Sequence, residues 1–231
     1  MSFRRMSAVF YKEVKDVIRN KMIIFIFFMF PVLSYIFQQV MSAEEIGSVV
    51  PTLMTMHIIL VPILCMTSII SEEKEKGTLS ALMMSNVKPL EYLFGIGLCI
   101  LLVASISTSL FLAVFSLSRS DCYKYVIFSL AGMVISIIIG SILGLLAKNQ
   151  MSAGPLAAPV SMILGMLPMF ANINPAIRDF SQYLYTQSVF DVYCSIQSPI
   201  ESRQLVVLGT NLFICIVVFV FVYWKRTLSH D

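Results

Sequence analysis

His57 is the one ionisable side chain in a long stretch that is otherwise free of Asp, Glu, Lys and Arg. An ionisable group inside a membrane span points to a proton or substrate pathway. The same imidazole can also stand neutral, hydrogen-bonded to a hydroxyl on another helix. No carboxylate lies at similar depth to relay a proton, so the neutral state is the expectation. Ser34 and Gln38, or the cluster Ser105–Ser109, can supply its partner. Further on, Glu72, Glu73, Lys74, Glu75 and Lys76 form a mixed-charge run. Nothing surrounds it that would make it a catalytic pair. The chain lacks HExxH, CxxC, a nucleophile elbow and a Gly-rich loop ending in Lys-Ser/Thr, so it has no Walker-type ATP site. No set of residues has metal-ligand spacing. Of five cysteines, Cys65, Cys99 and Cys215 lie in apolar runs and read as small fillers. Cys122 and Cys194 lie outside them, and whether they pair is open at this point. These residues suit a protein that moves, holds or anchors something rather than transforming it.

The elements that carry these residues follow from composition. Of 231 residues, 58% are apolar and only 13% charged, and the mean hydropathy is +0.87. Soluble domains carry about twice that charge. Too little charge remains to cover a globule, which excludes a soluble enzyme, a nucleic-acid binder and a disordered chain. A helix needs roughly 20 mostly apolar residues to cross the hydrocarbon. Six charge-free runs qualify: Met22–Val40, Val49–Ile70, Tyr92–Leu117, Tyr125–Leu146, Met151–Phe170 and Leu205–Trp224. Barrel-type alternation is absent. The expectation is one all-α membrane domain over residues 1–231, with six transmembrane helices. The first span follows a charged lead and has no cleavage pattern, so it reads as a span and not as a signal peptide.

Lys and Arg set the orientation. The lead, the loops after spans two and four, and the tail carry twelve; the opposite side carries Arg119, Lys124, Arg178 and Arg203. Both termini are therefore expected in the cytoplasm and the chain in the cell membrane. Over residues 1–21 the lead is amphipathic. Phe3, Met6, Val9, Phe10, Val14, Val17 and Ile18 share one side, and the basic residues cluster on the other. Such a helix suits the inner membrane surface. Between spans five and six, Ile177, Phe180 and Leu184, then Phe190, Tyr193 and Ile196, recur at helical spacing. Two short outer-leaflet helices are expected there, with Tyr183, Tyr185 and Tyr193 suited to the headgroup level.

Span four carries a one-sided stripe of small residues, Ser129, Gly132, Ser136, Gly140 and Gly144, which allows close helix approach. Span five contains Pro155, Pro159 and Pro168. Such a helix must be buried in protein or line a pathway, where its freed carbonyls find partners. Ser34, Gln38, His57, Pro155 and Pro159 thus form the candidate substrate pathway.

After the Glu72–Lys76 charges, Thr78 can cap a short helix in which Leu79, Leu82, Met83 and Val87 share a face; Pro89 ends it. A small cytoplasmic helix cannot bury that face alone and wants a protein partner. The stretch Glu72–Gly97, with Glu-Glu-Lys-Glu-Lys-Gly-Thr-Leu-Ser-Ala-Leu-Met-Met-Ser, Leu90-Glu91 and Phe94-Gly95, resembles the cytoplasmic coupling loop of ABC type-2 permeases, the membrane subunits of ABC exporters. Asn149-Gln-Met-Ser-Ala is similar to the family's loop into span five, and Leu167-Pro-Met-Phe-Ala-Asn-Ile-Asn-Pro continues the likeness. Asn86 and Ile96 depart from it, standing where the family often has Pro and Lys.

The resemblance implies a dimer, with a second copy or a homologous permease. It also implies a separate cytoplasmic ATPase that binds ATP and Mg; this chain is expected to bind no cofactor itself. Glu72, Glu73, Glu75, Gly77, Thr78 and Leu79 carry the coupling role by resemblance, and Leu82 and Met83 extend the apolar docking face. The cargo implied is a small peptide or bacteriocin, or a lipophilic drug. Two other readings stand beside this one: a proton-coupled secondary transporter or channel using His57, and a non-transporting membrane anchor.

Overall fold

The computed structural model describes residues 3–77, 89–114 and 119–228. Among these the chain is helical and has no strand. The helices are α1 (Phe3–Arg19), α2 (Lys21–Val40), α3 (Ala43–Glu75), α4 (Pro89–Ser109), α5 (Phe111–Val114), α6 (Arg119–Leu146), α7 (Gln150–Ile173), α8 (Pro175–Ser181), α9 (Tyr185–Cys194) and α10 (Ser202–Leu228). Six of them, α2, α3, α4, α6, α7 and α10, are long and apolar enough to cross a membrane.

The six charge-free runs each fall in one of these helices, with two differences. The run Glu72–Glu75 is not loop but the last turn of α3. Glu and Lys are good helix formers, and the helix ends only at Gly77, whose φ of 69° is left-handed. Residues 115–117 of the third run lie outside the described residues, and the described part is not one helix. It breaks after Ser109 and resumes as the short α5. Ser105, Ser107 and Ser109 donate back to the carbonyls of Leu101, Ala104 and Ile106, a pattern that bends helices.

α3 is the axis of the bundle. α6 lies against it along the small-residue stripe. A Cβ on Gly140 would stand 2.8 Å from the Ile63 carbonyl oxygen, so only glycine permits this approach. The Thr67 hydroxyl, 2.7 Å from the Ile63 carbonyl and 3.1 Å from the Gly140 carbonyl, shares its one proton across the seam. α7 approaches from another side, where a Cβ on Gly165 would meet Leu60 at 2.6 Å. The buried side chains of α7, Ala153, Ala157, Ser161 and Gly165, recur every four residues. α10 lies on the outside, with Phe213, Ile214, Phe221 and Trp224 exposed.

The helices expected between spans five and six are α8 and α9. The three tyrosines divide. Tyr183 is exposed, but Tyr185 and Tyr193 are buried in the bundle, away from any surface. Their hydroxyls meet Ser136 at 3.0 Å and Ser129 at 2.6 Å, both on α6. Those serines are seven residues apart, about 10 Å along a helix. α9 therefore runs antiparallel to α6 and penetrates the bundle for that depth. The stripe on α6 makes the room: its small side chains leave space for aromatic rings and offer hydroxyls to them. Cys122 and Cys194 are free thiols.

Candidate functional site

The end of the bundle that carries α1 is organised by the last turn of α3. Successive residues of a helix point about 100° apart, so four in a row face four directions. At the end of a central helix, each therefore meets a different neighbour. Glu72 accepts from the Gln150 side chain at 3.4 Å and pairs with Lys76. Glu73 accepts from Lys12 of α1 and from the Tyr92 hydroxyl of α4. Lys74 donates to the carbonyls of Ala147 at 2.6 Å and Leu145 at 3.2 Å, at the C-terminus of α6. Glu75 accepts from the Gln150 backbone N–H, 2.7 Å away, at the N-terminus of α7.

The signs suit the helix ends. A helix C-terminus presents unpaired carbonyls and partial negative charge; an N-terminus presents N–H groups and partial positive charge. Lys74 meets the first and Glu75 the second. The Asn-Gln-Met-Ser stretch has a physical role here. The Asn149 side chain accepts from Ser152 N–H at 3.0 Å, and Ser152 Oγ accepts from Asn149 N–H at 3.1 Å. This reciprocal capping box fixes the start of α7 beneath Glu75.

Glu73 is 5% exposed and Glu13 2%, whereas Lys12 is half-open to solvent. Lys12 reaches both carboxylates, with Glu13 at 2.9 Å. Two buried acids thus share one cation. Burial pushes the Glu13 carboxyl above its ordinary value, while the Lys12 hydrogen bond acts in the opposite direction. Glu91, at the start of α4, is buried beside this end as well. α1 is further locked to α4 where a Cβ on Gly95 would stand 2.8 Å from Val9. Residues 78–88 are flanked by α3 and α4, so Glu73 and Tyr92 join the two helices that lead into and out of that segment.

The family model described as "ABC-2 family transporter protein" matches residues 30–224. The chain belongs to this family. It is a multi-pass membrane protein and a transporter membrane subunit, of a kind that is generally not catalytic itself. ABC-2 permeases normally work with a cytoplasmic ATPase. No curated protein matches the chain.

Within this ABC-2 permease the sequence-derived coupling residues fall into two groups. Glu72, Glu73, Glu75 and Gly77 are described, and the three carboxylates grip other helices as above. Thr78, Leu79, Leu82 and Met83 lie outside the described residues. The candidate pathway residues divide between the interior and the outer face of the bundle. His57 is fully buried, between the rings of Phe30 and Phe111 at 6.0 and 5.5 Å. Its Nε2 lies 3.0 Å from Ser107 Oγ. The Ser107 hydroxyl also lies 2.9 Å from the Ala104 carbonyl. The His57 Nδ1 has no hydrogen-bond partner among the described residues. Ser34 is buried with its hydroxyl equally unpartnered, and Gln38 is half-buried. Pro155 and Pro159 are exposed on the outer face of α7, opposite the side that meets α3.

Sequence reasoning missed the partners of the α3 terminus. Lys12 is one basic residue among several on an amphipathic face, and Tyr92 carries no signal. One cue was present: Glu13 sits beside hydrophobic Val9 and Val17 on the helical wheel, where an acid is out of place.

Proposed function

We propose that this chain is the membrane subunit of an ATP-driven exporter in the cell membrane, a single permease domain with both termini cytoplasmic. It works as a dimer, with a second copy or a homologous permease, and seats residues 78–88 in a separate ATPase that binds ATP and Mg. The observation that carries this reading is the α3 terminus: Glu73, Lys74 and Glu75 hold α1 and α4, α6, and α7 in turn. Force applied to the segment after Gly77 would reach four helices through one turn. A chain with no need to receive such force would have no reason to concentrate its inter-helix polar contacts where α3 enters that segment. Leu79, Leu82 and Met83 supply the apolar docking face, and the cargo is a small peptide or a lipophilic molecule.

The test is co-purification with the partner ATPase, followed by hydrolysis and transport in liposomes. Leu82→Asp places a charge that must be desolvated at the ATPase surface, which costs several kcal/mol. We expect it to lower ATPase association by at least tenfold while the six helices still insert. If Leu82→Asp binds and transports like the parent, and His57→Ala abolishes a flux that follows the proton gradient, the secondary-transporter reading replaces this one.

A further inference from the structure

Between α1, the first turn of α2 and the last turns of α3 lies an open groove of about 690 Å³. Its floor is apolar. Val17 and Ile69 are buried, and Ile23 is half-buried. Its charged walls sort into two sets. Lys12 is paired with Glu13 and Glu73, and Lys76 with Glu72. Arg19 and Lys21 are exposed, and neither makes a hydrogen bond or ion pair with any described residue. Asp16 is the one loosely held acid, 3.9 Å from Lys12.

The position of the two free cations is informative. They flank Asn20, where α1 ends and α2 begins, and the charge-free run of α2 starts at Met22. In a bilayer that is the level of the phosphates, one step above the hydrocarbon. A free anion would gain nothing from the Val17, Ile23 and Ile69 floor. A polyphosphate would be repelled by Asp16, Glu72 and Glu73, and a nucleotide would find no aromatic ring in the groove. A phosphodiester with a single negative charge and an apolar tail matches all three features.

We propose that this groove is a binding site for one phospholipid from the leaflet at the α1 end, its phosphate on Arg19 and Lys21 and its acyl chains along Ile23 and Ile69. The lipid would lie beside the Lys12–Glu73 contact and brace the corner between α1 and α2. The proposal rests on the membrane location and not on the exporter reading.

Native mass spectrometry of the full chain in mild detergent tests it, with no ATPase or cargo present, so its outcome is separate from that of the exporter assay. The probes are phosphatidylglycerol, diacylglycerol and inorganic phosphate. We expect one phosphatidylglycerol retained per chain, no retained diacylglycerol, and no displacement by phosphate. Arg19→Gln/Lys21→Gln should lower retention at least about tenfold. Lys15→Gln/Lys148→Gln removes the same charge from exposed positions outside the groove and should leave retention within about twofold. The exchange Arg19→Lys/Lys21→Arg should retain lipid, which separates loss of binding from loss of fold. Equal losses in the two Gln variants would reduce the effect to bulk attraction and overturn the site. Equal retention of diacylglycerol, or displacement by inorganic phosphate, would also overturn it.

Discussion

The two ends of the bundle are held by different chemistry. At the α1 end the contacts are ionic, made by long side chains: Lys12 with Glu13 and Glu73, Lys74 with the end of α6, Glu75 with the start of α7. At the α9 end the inner contacts are neutral and short: Tyr185 with Ser136, Tyr193 with Ser129, and the Tyr125 hydroxyl with the Thr108 carbonyl at 2.8 Å. Charges occur there too, Lys124 3.7 Å from Asp121 and Arg178 3.7 Å from Asp191, but Lys124 is also fixed as a donor to the Ile196 and Ser198 carbonyls at 2.8 Å each. A half-exposed cation such as Lys12 has water as an alternative partner, so its pairs can re-form at shifted geometries. Buried tyrosine–serine bonds in a close-packed seam are lost if the helices move by an ångström or two. The lesson is one of division: the bundle has a jointed end, gathered on α3, and a welded end, gathered on α6. On the exporter reading, the jointed end receives motion and the welded end gives it a fixed reference.

The largest expected effect comes from the seam that both ends share. Gly140→Leu drives a side chain into the Ile63 backbone, which cannot move aside as a side-chain tip could. Overpacking of this kind costs about 3 kcal/mol or more. Thermal unfolding in detergent should fall sharply or folded protein be lost. A fully stable Gly140→Leu chain would mean that α6 does not lie on α3 as described.

A smaller effect separates the two ends directly. Glu73→Ala removes one of the two carboxylates on Lys12, leaving Glu13, and the acceptor of the Tyr92 hydroxyl. Lys12 is half-exposed and can turn to water, so the stability loss should be only about 1–2 kcal/mol. Tyr185→Phe removes one buried hydrogen bond and should cost about 1 kcal/mol. The two variants should therefore be similar in stability but differ in function. Glu73→Ala should keep ATPase binding and lose most cargo-stimulated transport, and Tyr185→Phe should keep both. If both lose transport equally, the jointed and welded ends are not distinct.

The smallest effect is a pH dependence. Burial raises the Glu13 carboxyl above its ordinary 4.5. The folded state thus holds this proton more tightly than the unfolded one. The associated stability is fully present below about 4.5, the ordinary value, and is lost as pH rises through the raised folded value. Docking of α1 should weaken over that window, and Glu13→Gln should flatten the dependence. Melting curves between pH 4 and 8 for the parent and the variant compare the two, and an unchanged slope in Glu13→Gln would assign the dependence to another group.

How much was legible in advance depends on the range of the interaction. The amino-acid sequence by itself determined the six apolar helices, their order and the amphipathic lead. Hydropathy and helical periodicity are local sums, and a charge-free run of 20 residues has few alternatives to a buried or lipid-facing helix. It also marked Glu72–Lys76 and Asn149–Ser152 as unusual. Only the tertiary structure decided what those residues hold. Lys12 and Glu73 are 61 positions apart, Lys74 and Ala147 73, and Glu75 and Gln150 75. No local pattern encodes such pairings, because each depends on the rotation of α3 relative to three other helices. The same holds for Tyr185 and Tyr193, which match surface tyrosines in their spacing and are buried because α6 turns its serines toward them. His57 is the mixed case. Its isolation was visible in the residues around it, but its contact with Ser107 and its Nδ1, unpartnered among the described residues, follow from how α3 packs against α4.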